Sequence, residues 1–278
     1  KAVVRDVALR ADGLMAASAS DDGTVKLWRR NQYLLRELRG HDDTVWELAV
    51  SSNGKLIASA SFNAIRLWLP DGKLWQRINI SVDRGIFSVA FAPSSQLLAI
   101  SSNFIVELWN VEDLAKPIRV LSGHQADVVA IAFSPDGQTI ATAGDDKTIK
   151  LWSIDGKLLH SFIAHNERIW KLAFTPDGQT LASASADRTV KLWTPDGELL
   201  TELNQGGAVW GVAINPQGNL IASTSRDDTL NLWTLDGTLV RTIDARSGGL
   251  TRAAFSPDGQ TIATAGVANT VKLWNLEG

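Results

Sequence analysis

The sequence predicts an all-β protein: a seven-bladed β-propeller of four-stranded antiparallel blades, with the last blade lacking its outer strand. A Leu-Trp pair recurs seven times along the 278 residues, at intervals of 40, 41, 43, 41, 40 and 41 positions. Short apolar segments separated by turn residues fill each interval, and helical periodicity is nearly absent. Such a period indicates one supersecondary unit repeated along the chain. The tryptophans of the pairs are Trp28, Trp68, Trp109, Trp152, Trp193, Trp233 and Trp274.

Each unit contains four predicted strands, and the turns between them have their own chemistry. The first strand ends at a Pro-Asp-Gly turn or a relative of it, in which Pro presets φ and Gly tolerates a positive φ. The second strand follows, and the third ends on the Leu-Trp pair. An Asp-Gly turn then leads into the fourth strand. The first kind of turn is found at 135–137, 176–178, 216–218 and 257–259, and the second at 71–72, 155–156, 196–197 and 236–237.

The repeats predict one domain, because a lone four-stranded meander cannot bury both faces whereas seven packed in a ring can. We expect this domain over residues 1–278, with blades over approximately 1–40, 41–80, 81–122, 123–163, 164–203, 204–243 and 244–278. In the aligned repeats, neither end of the chain offers a segment that matches residues 157–165. The third strand of the last blade, at 270–274, is therefore predicted to be an open edge, through which another chain can associate or which a longer parent chain completes with a strand of its own.

Composition argues against several classes of function. The net charge is −3 and we find no long run of like charges, which argues against nucleic acid as a partner. The chain has no cysteine, so a disulfide or thiolate metal site is not available. No apolar run approaches the ~20 residues that span a bilayer, and the first residues do not resemble a signal peptide. We therefore expect a cytoplasmic protein without membrane, cofactor or metal, and the absence of an initial Met suggests part of something longer.

Three motifs recur: Gly-His before the first strand, Ser-Pro-Asp-Gly at the first turn, and the Trp that closes the third strand. In this combination the chain resembles the WD-repeat family, over essentially every residue, although the Asp that follows this Trp in the family is missing from all seven copies. The resemblance implies a non-catalytic scaffold that binds a protein or peptide. The style of the repeats is similar to the WD arrays of bacterial, notably cyanobacterial, signalling proteins, where they sit behind ATPase or kinase modules as sensors or brakes.

A His, a hydroxyl residue, an Asp and a Trp follow one another at steps of 18, 4 and 6 residues in the fourth and fifth repeats. The first three invite comparison with a hydrolase triad, but a catalytic site is usually single, whereas partial copies persist in other repeats. The resemblance implies a structural hydrogen-bond network instead. The histidines are spread over separate blades, which argues against a metal site. The structural tetrads are His124, Thr142, Asp146 and Trp152, and His165, Ser183, Asp187 and Trp193.

One column of residues, one position after the first apolar residue of each first strand, is rich in aromatic side chains. The resemblance implies that this column faces the mouth of the central channel, where partners dock, and that residues just before the turn Asp border the same face. An aromatic cluster of this size indicates a docking surface, or else the rings pack together and plug the channel. The column is Arg5, Trp46, Phe87, Val129, Trp170, Trp210 and Thr251, and the rim is Asp21, Asp145 and Arg226.

Two other classes of function remain open. A propeller enzyme would need carboxylates, arginines or metal ligands that converge at the channel mouth, but the channel-facing column offers mainly apolar groups. A purely structural ring would assemble into homo-oligomers. Screening hydrolase substrates would separate the docking module from the enzyme, and light scattering would separate both from the oligomer.

Overall fold

The computed structural model describes residues 2–29, 33–80 and 85–278. These residues form seven antiparallel sheets and no helix, and hence no helix long and apolar enough to cross a membrane. In each sheet the strands lie side by side in chain order. Six sheets have four strands and the last has three, which confirms the predicted fold class.

The strands of the first four blades are short and similar in length. Blade one contains β1 (Val4–Leu9), β2 (Met15–Ser20), β3 (Val25–Arg29) and β4 (Leu34–Leu38); blade two contains β5 (Val45–Val50), β6 (Ile57–Ser61), β7 (Ala64–Trp68) and β8 (Leu74–Asn79). Blade three contains β9 (Ile86–Phe91), β10 (Leu97–Ser102), β11 (Ile105–Asn110) and β12 (Arg119–Ser122); blade four contains β13 (Val128–Phe133), β14 (Thr139–Gly144), β15 (Thr148–Ser153) and β16 (Leu158–Ile163).

The remaining blades repeat this arrangement until the fourth strand of the last. Blade five contains β17 (Ile169–Phe174), β18 (Leu181–Ser185), β19 (Thr189–Trp193) and β20 (Leu199–Asn204); blade six contains β21 (Val209–Ile214), β22 (Leu220–Ser225), β23 (Thr229–Thr234) and β24 (Leu239–Asp244). Blade seven contains β25 (Leu250–Phe255), β26 (Thr261–Gly266) and β27 (Thr270–Asn275).

The first turn of blade four shows how the sequence forms these hairpins. Ser134 Oγ donates to Asp136 Oδ1 at 2.5 Å, and the same oxygen accepts the backbone N–H of Gln138 at 2.9 Å. These hydrogen bonds hold the pKa of Asp136 below its usual range. Gly137 adopts a φ of 69°, which other residue types rarely take. Residues 175–178 form the same turn in blade five, so the local sequence determines where each hairpin reverses.

The first strands lie innermost and form the ring. Each one contacts the first strands of the two neighbouring blades, and β1 contacts β25, so the ring closes between blades seven and one. The fourth strands lie outermost, and most side chains of strands such as β16 and β20 are exposed. The seven first strands therefore surround the central channel.

The hydrophobic core lies between the blades. At the junction of blades four and five, Ile149 and Leu151 of a third strand pack in one cluster with Phe162 of the fourth strand and Trp193 of the next blade. The ring centroids of Phe162 and Trp193 are 5.0 Å apart. Burial of one large apolar side chain contributes about 1.5–3 kcal/mol. Because these side chains are buried against the next blade, each blade is stabilised mainly by its neighbours.

Candidate functional site

Every first strand contains a β-bulge at the position of the aromatic column. Pairing with the second strand skips one residue, for example between Val4 and Asp6 or between Val45 and Glu47. A bulged residue has no partner in the ladder, and the bulge re-aims its side chain. The skipped residues are Arg5, Trp46, Phe87, Val129, Trp170, Trp210 and Thr251, which we term the bulge column. The structure thus places all seven predicted residues at the same bulged position of their strands.

The bulge column is open to solvent in five blades and closed in two. Trp46 is 38% exposed. Val129 and Thr251 are buried, and the Thr251 hydroxyl donates to the carbonyl oxygen of Val4 at 2.9 Å across the closure of the ring. These two residues therefore offer little surface to a partner. The half-buried members are Arg5, Phe87, Trp170 and Trp210.

An arginine and an aspartate fix the indole ring of Trp46. The guanidinium carbon of Arg5 lies 4.8 Å from the ring centroid, which is a cation–π contact. The same guanidinium donates two hydrogen bonds to the Asp21 carboxylate, at 2.5 and 2.8 Å. Bidentate pairing holds the guanidinium plane in one orientation, so the predicted rim residue and two predicted column residues form a single unit.

A second unit of the same kind joins blades four and five. Arg168 lies over Trp170 at 4.6 Å and pairs with both oxygens of the Asp145 carboxylate. Burial and the Asp145 carboxylate raise the pKa of nearby Asp127, and Arg168 opposes that shift. Arg168 was not among the predicted residues. The sequence feature that could have indicated it is a basic residue two positions before the Trp of the bulge column. The third predicted rim residue, Arg226, is exposed.

Two phenylalanines outside the predicted set extend the aromatic surface over blades two and three. Phe62 and Phe104 occupy the turns between second and third strands and are 43% and 53% exposed. Phe62 lies beside Phe87, since a Cβ added at Gly85 would meet their rings at 2.8 and 3.0 Å. The sequence signal for both is a Phe in a turn where blades four and five have Asp.

The residues that follow the bulge column carry charges into the channel. Glu47 of blade two is 1% exposed and forms an ion pair with Lys171 of blade five. These blades are not neighbours, so the pair spans the ring. The expectation of mainly apolar groups at the channel is therefore wrong, because the bulge turns the aromatic residue towards the mouth and leaves the next residue to face inward.

Asp6 and Arg252 complete the set that we term the channel charges, together with Glu47 and Lys171. Asp6 accepts the backbone N–H of Leu48 in the next blade at 2.8 Å, and Arg252 donates to the carbonyl oxygen of Trp210 in the preceding blade at 2.6 Å. The pKa of Asp6 lies above its ordinary value, chiefly because the carboxyl group is buried and also because it is close to the Glu47 carboxylate. Attraction by Lys171 and Arg252 lowers the pKa but does not cancel this rise. The channel charges thus hold blades together at their inner edges.

The tetrad of blade four forms a continuous chain of hydrogen bonds. Trp152 Nε1 donates to Thr142 Oγ1 at 2.9 Å, His124 Nε2 lies 2.7 Å from that oxygen, and His124 Nδ1 lies 2.8 Å from Asp146 Oδ2. A neutral His124 with its proton on Nδ1 satisfies every donor and acceptor. Burial alone would raise the pKa of Asp146, but hydrogen bonds from His124 and Gln125 hold it well below its usual range. The same contacts recur in blade five among His165, Ser183, Asp187 and Trp193.

The order of carboxylate, imidazole and hydroxyl in the tetrads matches a hydrolase triad, but the surroundings differ. Thr142 and Ser183 are fully buried and each already accepts an indole N–H. A substrate carbonyl has no access to either hydroxyl, so these two tetrads support the fold. Among the residues that the structure describes, no group of three or more His, Cys, Asp or Glu side chains could hold a metal ion.

Incomplete tetrads recruit substitutes that the sequence did not reveal. In blade two, Ser61 replaces the Asp and lies 2.7 Å from His41 Nδ1. In blade six, Gln205 replaces the His, accepts from Ser223 at 2.6 Å and stands 18 positions before it, as His124 stands before Thr142. The closing Trp finds an acceptor in every blade; the seven acceptors are Ser18, Ser59, Glu107, Thr142, Ser183, Ser223 and Thr264.

Replacing a tetrad carboxylate should destabilise the fold. We expect Asp146→Ala to lower the free energy of unfolding by about 1–3 kcal/mol, because His124 and the Gln125 N–H lose a buried acceptor. Asp187→Ala should behave alike, and Asp155→Ala at an exposed turn is the control. Denaturant titration measures this, and a wild-type midpoint for both tetrad variants would contradict the structural role.

Blade two should make stability depend on pH through His41. Burial, together with repulsion by Arg66 and Arg77, lowers the pKa of His41 to about 3. In the unfolded chain His41 takes up a proton near pH 6.5, whereas in the folded protein it stays neutral down to about pH 3. The free energy of unfolding is therefore highest above pH 6.5 and decreases as the pH falls below this value. Between pH 7 and pH 5 the loss should be about 2 kcal/mol.

The His41→Gln variant isolates this effect, because Gln205 shows that an amide can fill the position. Denaturant titrations at both pH values should give a shallower pH dependence for His41→Gln than for the wild type. Equal slopes for the two proteins would rule out His41 as the titrating group.

Removal of the channel cation should expose the cost of a buried carboxylate. We expect Lys171→Met to lower the free energy of unfolding by about 3–5 kcal/mol, since the buried Glu47 side chain loses its cation and keeps only the backbone N–H of Val89 as a hydrogen-bond donor. The double variant Lys171→Met, Glu47→Gln should recover much of that loss in the same denaturant titration. If the single variant is as stable as the wild type, the pair does not hold the ring.

Comparisons with known proteins agree with this architecture. Residues 85–278 match the model of the IFT122 first beta-propeller, and residues 1–29 and 32–69 match the WD domain, G-beta repeat. The chain is 28% identical over 183 residues to the transcriptional corepressor LEUNIG_HOMOLOG of Arabidopsis thaliana, an alignment that covers 59% of this chain and 22% of the relative. It is 34% identical over 152 residues to the nuclear distribution protein PAC1 of Arthroderma benhamiae, with 50% and 33% covered.

A third relative is the small ribosomal subunit protein RACK1y of Oryza sativa, 29% identical over 148 residues, with 50% of this chain and 44% of the relative covered. The chain thus spans less than half the length of these three relatives. All three are eukaryotic, so a bacterial origin stays a prediction. Propellers of this kind are typically protein-interaction scaffolds and generally not enzymes. Because the first model matches well over half of its residues, the chain belongs to the WD-repeat β-propeller family.

Proposed function

We propose that the chain is a non-catalytic docking module that binds a protein or peptide on the channel-mouth face. The observation that carries this proposal is the bulge in every first strand, at a position where five of the seven side chains are open to solvent. Trp46, Phe62 and Phe104 are each more than a third exposed on this face. Aromatic and arginine side chains are the residue types that most often dominate the energy of an interface.

The immobilised rings favour docking over a plug. Arg5 and Arg168 lie on Trp46 and Trp170 and are themselves held by carboxylates. Among the described side chains of the bulge column, no ring contacts another ring, and it is the channel charges that close the channel below. Rings fixed before binding lose little conformational entropy in a complex.

The wider context is proposed from the style of the repeats. We infer that the module is the WD-repeat part of a larger cytoplasmic bacterial signalling protein, in which it acts as a sensor or brake. Relatives with names as different as corepressor, nuclear distribution protein and ribosomal subunit protein are compatible with one propeller serving many assemblies. Identification of the captured partner by mass spectrometry, after a pull-down from the source cell, tests this context.

Truncation of the mouth tryptophans tests the docking face itself. Trp46→Ala and Trp170→Ala should each weaken binding of the captured partner about thirtyfold, the effect of losing about 2 kcal/mol at a central aromatic anchor. Trp75→Ala is the matched control, because Trp75 is 39% exposed on the outer strand β8. Calorimetric titration measures the affinity and a thermal melt the stability.

The same two measurements separate docking from plugging. Rings that only plug the channel would leave cavities when truncated and lower stability by about 3–5 kcal/mol. Unchanged affinity together with such a loss would refute the docking surface.

A further inference from the structure

Two arginines stand directly opposite each other in blade two. Arg66 of β7 pairs in register with Arg77 of β8. Directly opposite residues of an antiparallel pair lie on the same face of the sheet, with Cβ atoms about 4.5–5.5 Å apart, and like charges at such positions are destabilising. Blade two therefore places two positive charges where their repulsion opposes the pairing of its outer strands.

Other blades compensate the charge at this position. In blades one, four and five the equivalent residue is a lysine, and the residue in register with it on the fourth strand supplies an oxygen. The pairs are Lys26–Glu37, Lys150–Ser161 and Lys191–Glu202, with distances of 3.9, 2.6 and 3.4 Å between the Nζ atom and that oxygen. Blade two keeps the cation but has a second cation in place of the compensating group.

The Arg66 guanidinium is buried without compensation. The residue is 6% exposed. In the described part of the chain, no carboxylate forms an ion pair with it and no atom accepts a hydrogen bond from its guanidinium. Burial lowers the pKa of Arg66, the Arg77 charge lowers it further, and attraction by Asp42 opposes this without cancelling it. Because an unpaired buried charge is costly to a fold, this position favours a negatively charged ligand.

The described neighbours of the two arginines do not supply the missing negative charge. Glu37 on the adjacent strand β4 is already bound to Arg39. Asp42 is exposed, and it attracts Arg66 without forming an ion pair with it. His41 stays neutral, because burial and the charges of both arginines lower its pKa to about 3. The junction of blades one and two therefore holds uncompensated positive charge.

The arginine pair is fixed on one side and open on the other. The segment that joins β4 to β5 passes close to Arg66, since a Cβ added at Gly40 would lie 3.2 Å from Arg66 Nε. The guanidinium nitrogens are nevertheless not among the unpaired side-chain atoms that are sealed from solvent. Arg77 is exposed on the outer strand β8. An anion can therefore approach the pair from the outer side of the blade, away from the first strands that surround the channel.

We propose that Arg66 and Arg77 bind a phosphate monoester, in the form of a phosphorylated side chain of a partner protein. Such a group carries a charge of about −1.5 to −2 at pH 7 and three acceptor oxygens, which match two guanidinium groups in charge and in donors. A carboxylate brings a single charge and leaves one arginine uncompensated. The planar fork of a guanidinium also suits bidentate binding of phosphate.

A nucleic acid or an anionic membrane fits the arginine pair less well. Both present many singly charged groups and are bound by extended basic surfaces. The uncompensated charge is confined here to one junction of blades, and the net charge of the chain is −3. The site shares no residue with the bulge column, so it is independent of the docking face at the channel mouth.

The probe for this proposal is a short glycine peptide with one central phosphoserine, compared at pH 7 with the same peptide carrying serine or glutamate. We expect saturable 1:1 binding of the phosphoserine peptide by calorimetric titration, and a rise in the melting temperature of the protein. The glutamate peptide should bind about tenfold more weakly or worse, and the serine peptide should not bind. Inorganic phosphate should compete with the phosphoserine peptide.

A charge exchange at the exposed arginine tests the assignment without disturbing the core. The protein variant Arg77→Glu recreates the pairing of cation and carboxylate found in blades one and five. It should weaken binding of the phosphoserine peptide about tenfold or more and raise the melting temperature, because Arg66 gains an opposite charge in register. Arg66→Met should weaken binding to a similar extent. Arg241→Glu is the matched control, since Arg241 is exposed on β24 opposite Leu232, and it should leave binding unchanged.

Three results would overturn the proposal. They are the absence of saturable binding of the phosphoserine peptide, equal binding of that peptide by the wild type and Arg77→Glu, and tighter binding of a different phosphate source. Tighter binding of duplex DNA would assign the arginine pair to nucleic acid, and binding of inorganic phosphate without the peptide would assign it to the free ion.

Discussion

The fold depends on one hydrogen bond in each blade, from the indole N–H of the closing Trp to a side-chain oxygen of the same sheet, and in five of the seven blades this bond is buried. An unpaired buried N–H costs about 1–3 kcal/mol, and in every blade except the first the same indole packs on the preceding blade, as Trp193 does on Phe162. The Trp therefore joins the hydrogen bonding of one blade to the core that it shares with the next. Blade three keeps this bond through Glu107 although its hydroxyl position has become apolar.

The His and Asp positions of the tetrad can vary, because they only hydrogen-bond to the side-chain oxygen that accepts the indole N–H and hold the loop before the blade. Gln205 and Ser61 do this with different chemistry in the same geometry. Strand order, hairpin turns and the missing strand could be predicted from sequence, since turn chemistry such as that of Gly137 is local and repeats can be counted. The residues that substitute in the incomplete tetrads and the channel charges could not be predicted. A bulge leaves no mark in the apolar pattern of the sequence, yet it decides whether Trp46 or Glu47 faces the channel.

The bulge also separates two tasks within one short strand. Its own residue forms the outer layer at the mouth, and the next residue forms the inner layer of charge. The Glu47–Lys171 pair links blades two and five across the channel, and these blades carry Trp46 and Trp170. The ion pair and the two tryptophans therefore form an inner and an outer layer on the same blades, and it is the arginines on Trp46 and Trp170 that hold the outer rings in place before binding.

The junction of blades seven and one is where this rigidity is weakest. Among the described residues, its buried cluster consists of Val4, Val7, Ala263 and Ala265, without the fourth-strand residue and closing Trp that complete the other junctions. In a ring of repeats each unit is stabilised through its neighbours, so the sparse packing at this junction affects both adjoining blades. That interface also carries Asp6 and Arg252 at its inner edge. Each of the two adjoining blades therefore contributes a channel charge as well as one wall of this sparsely packed junction.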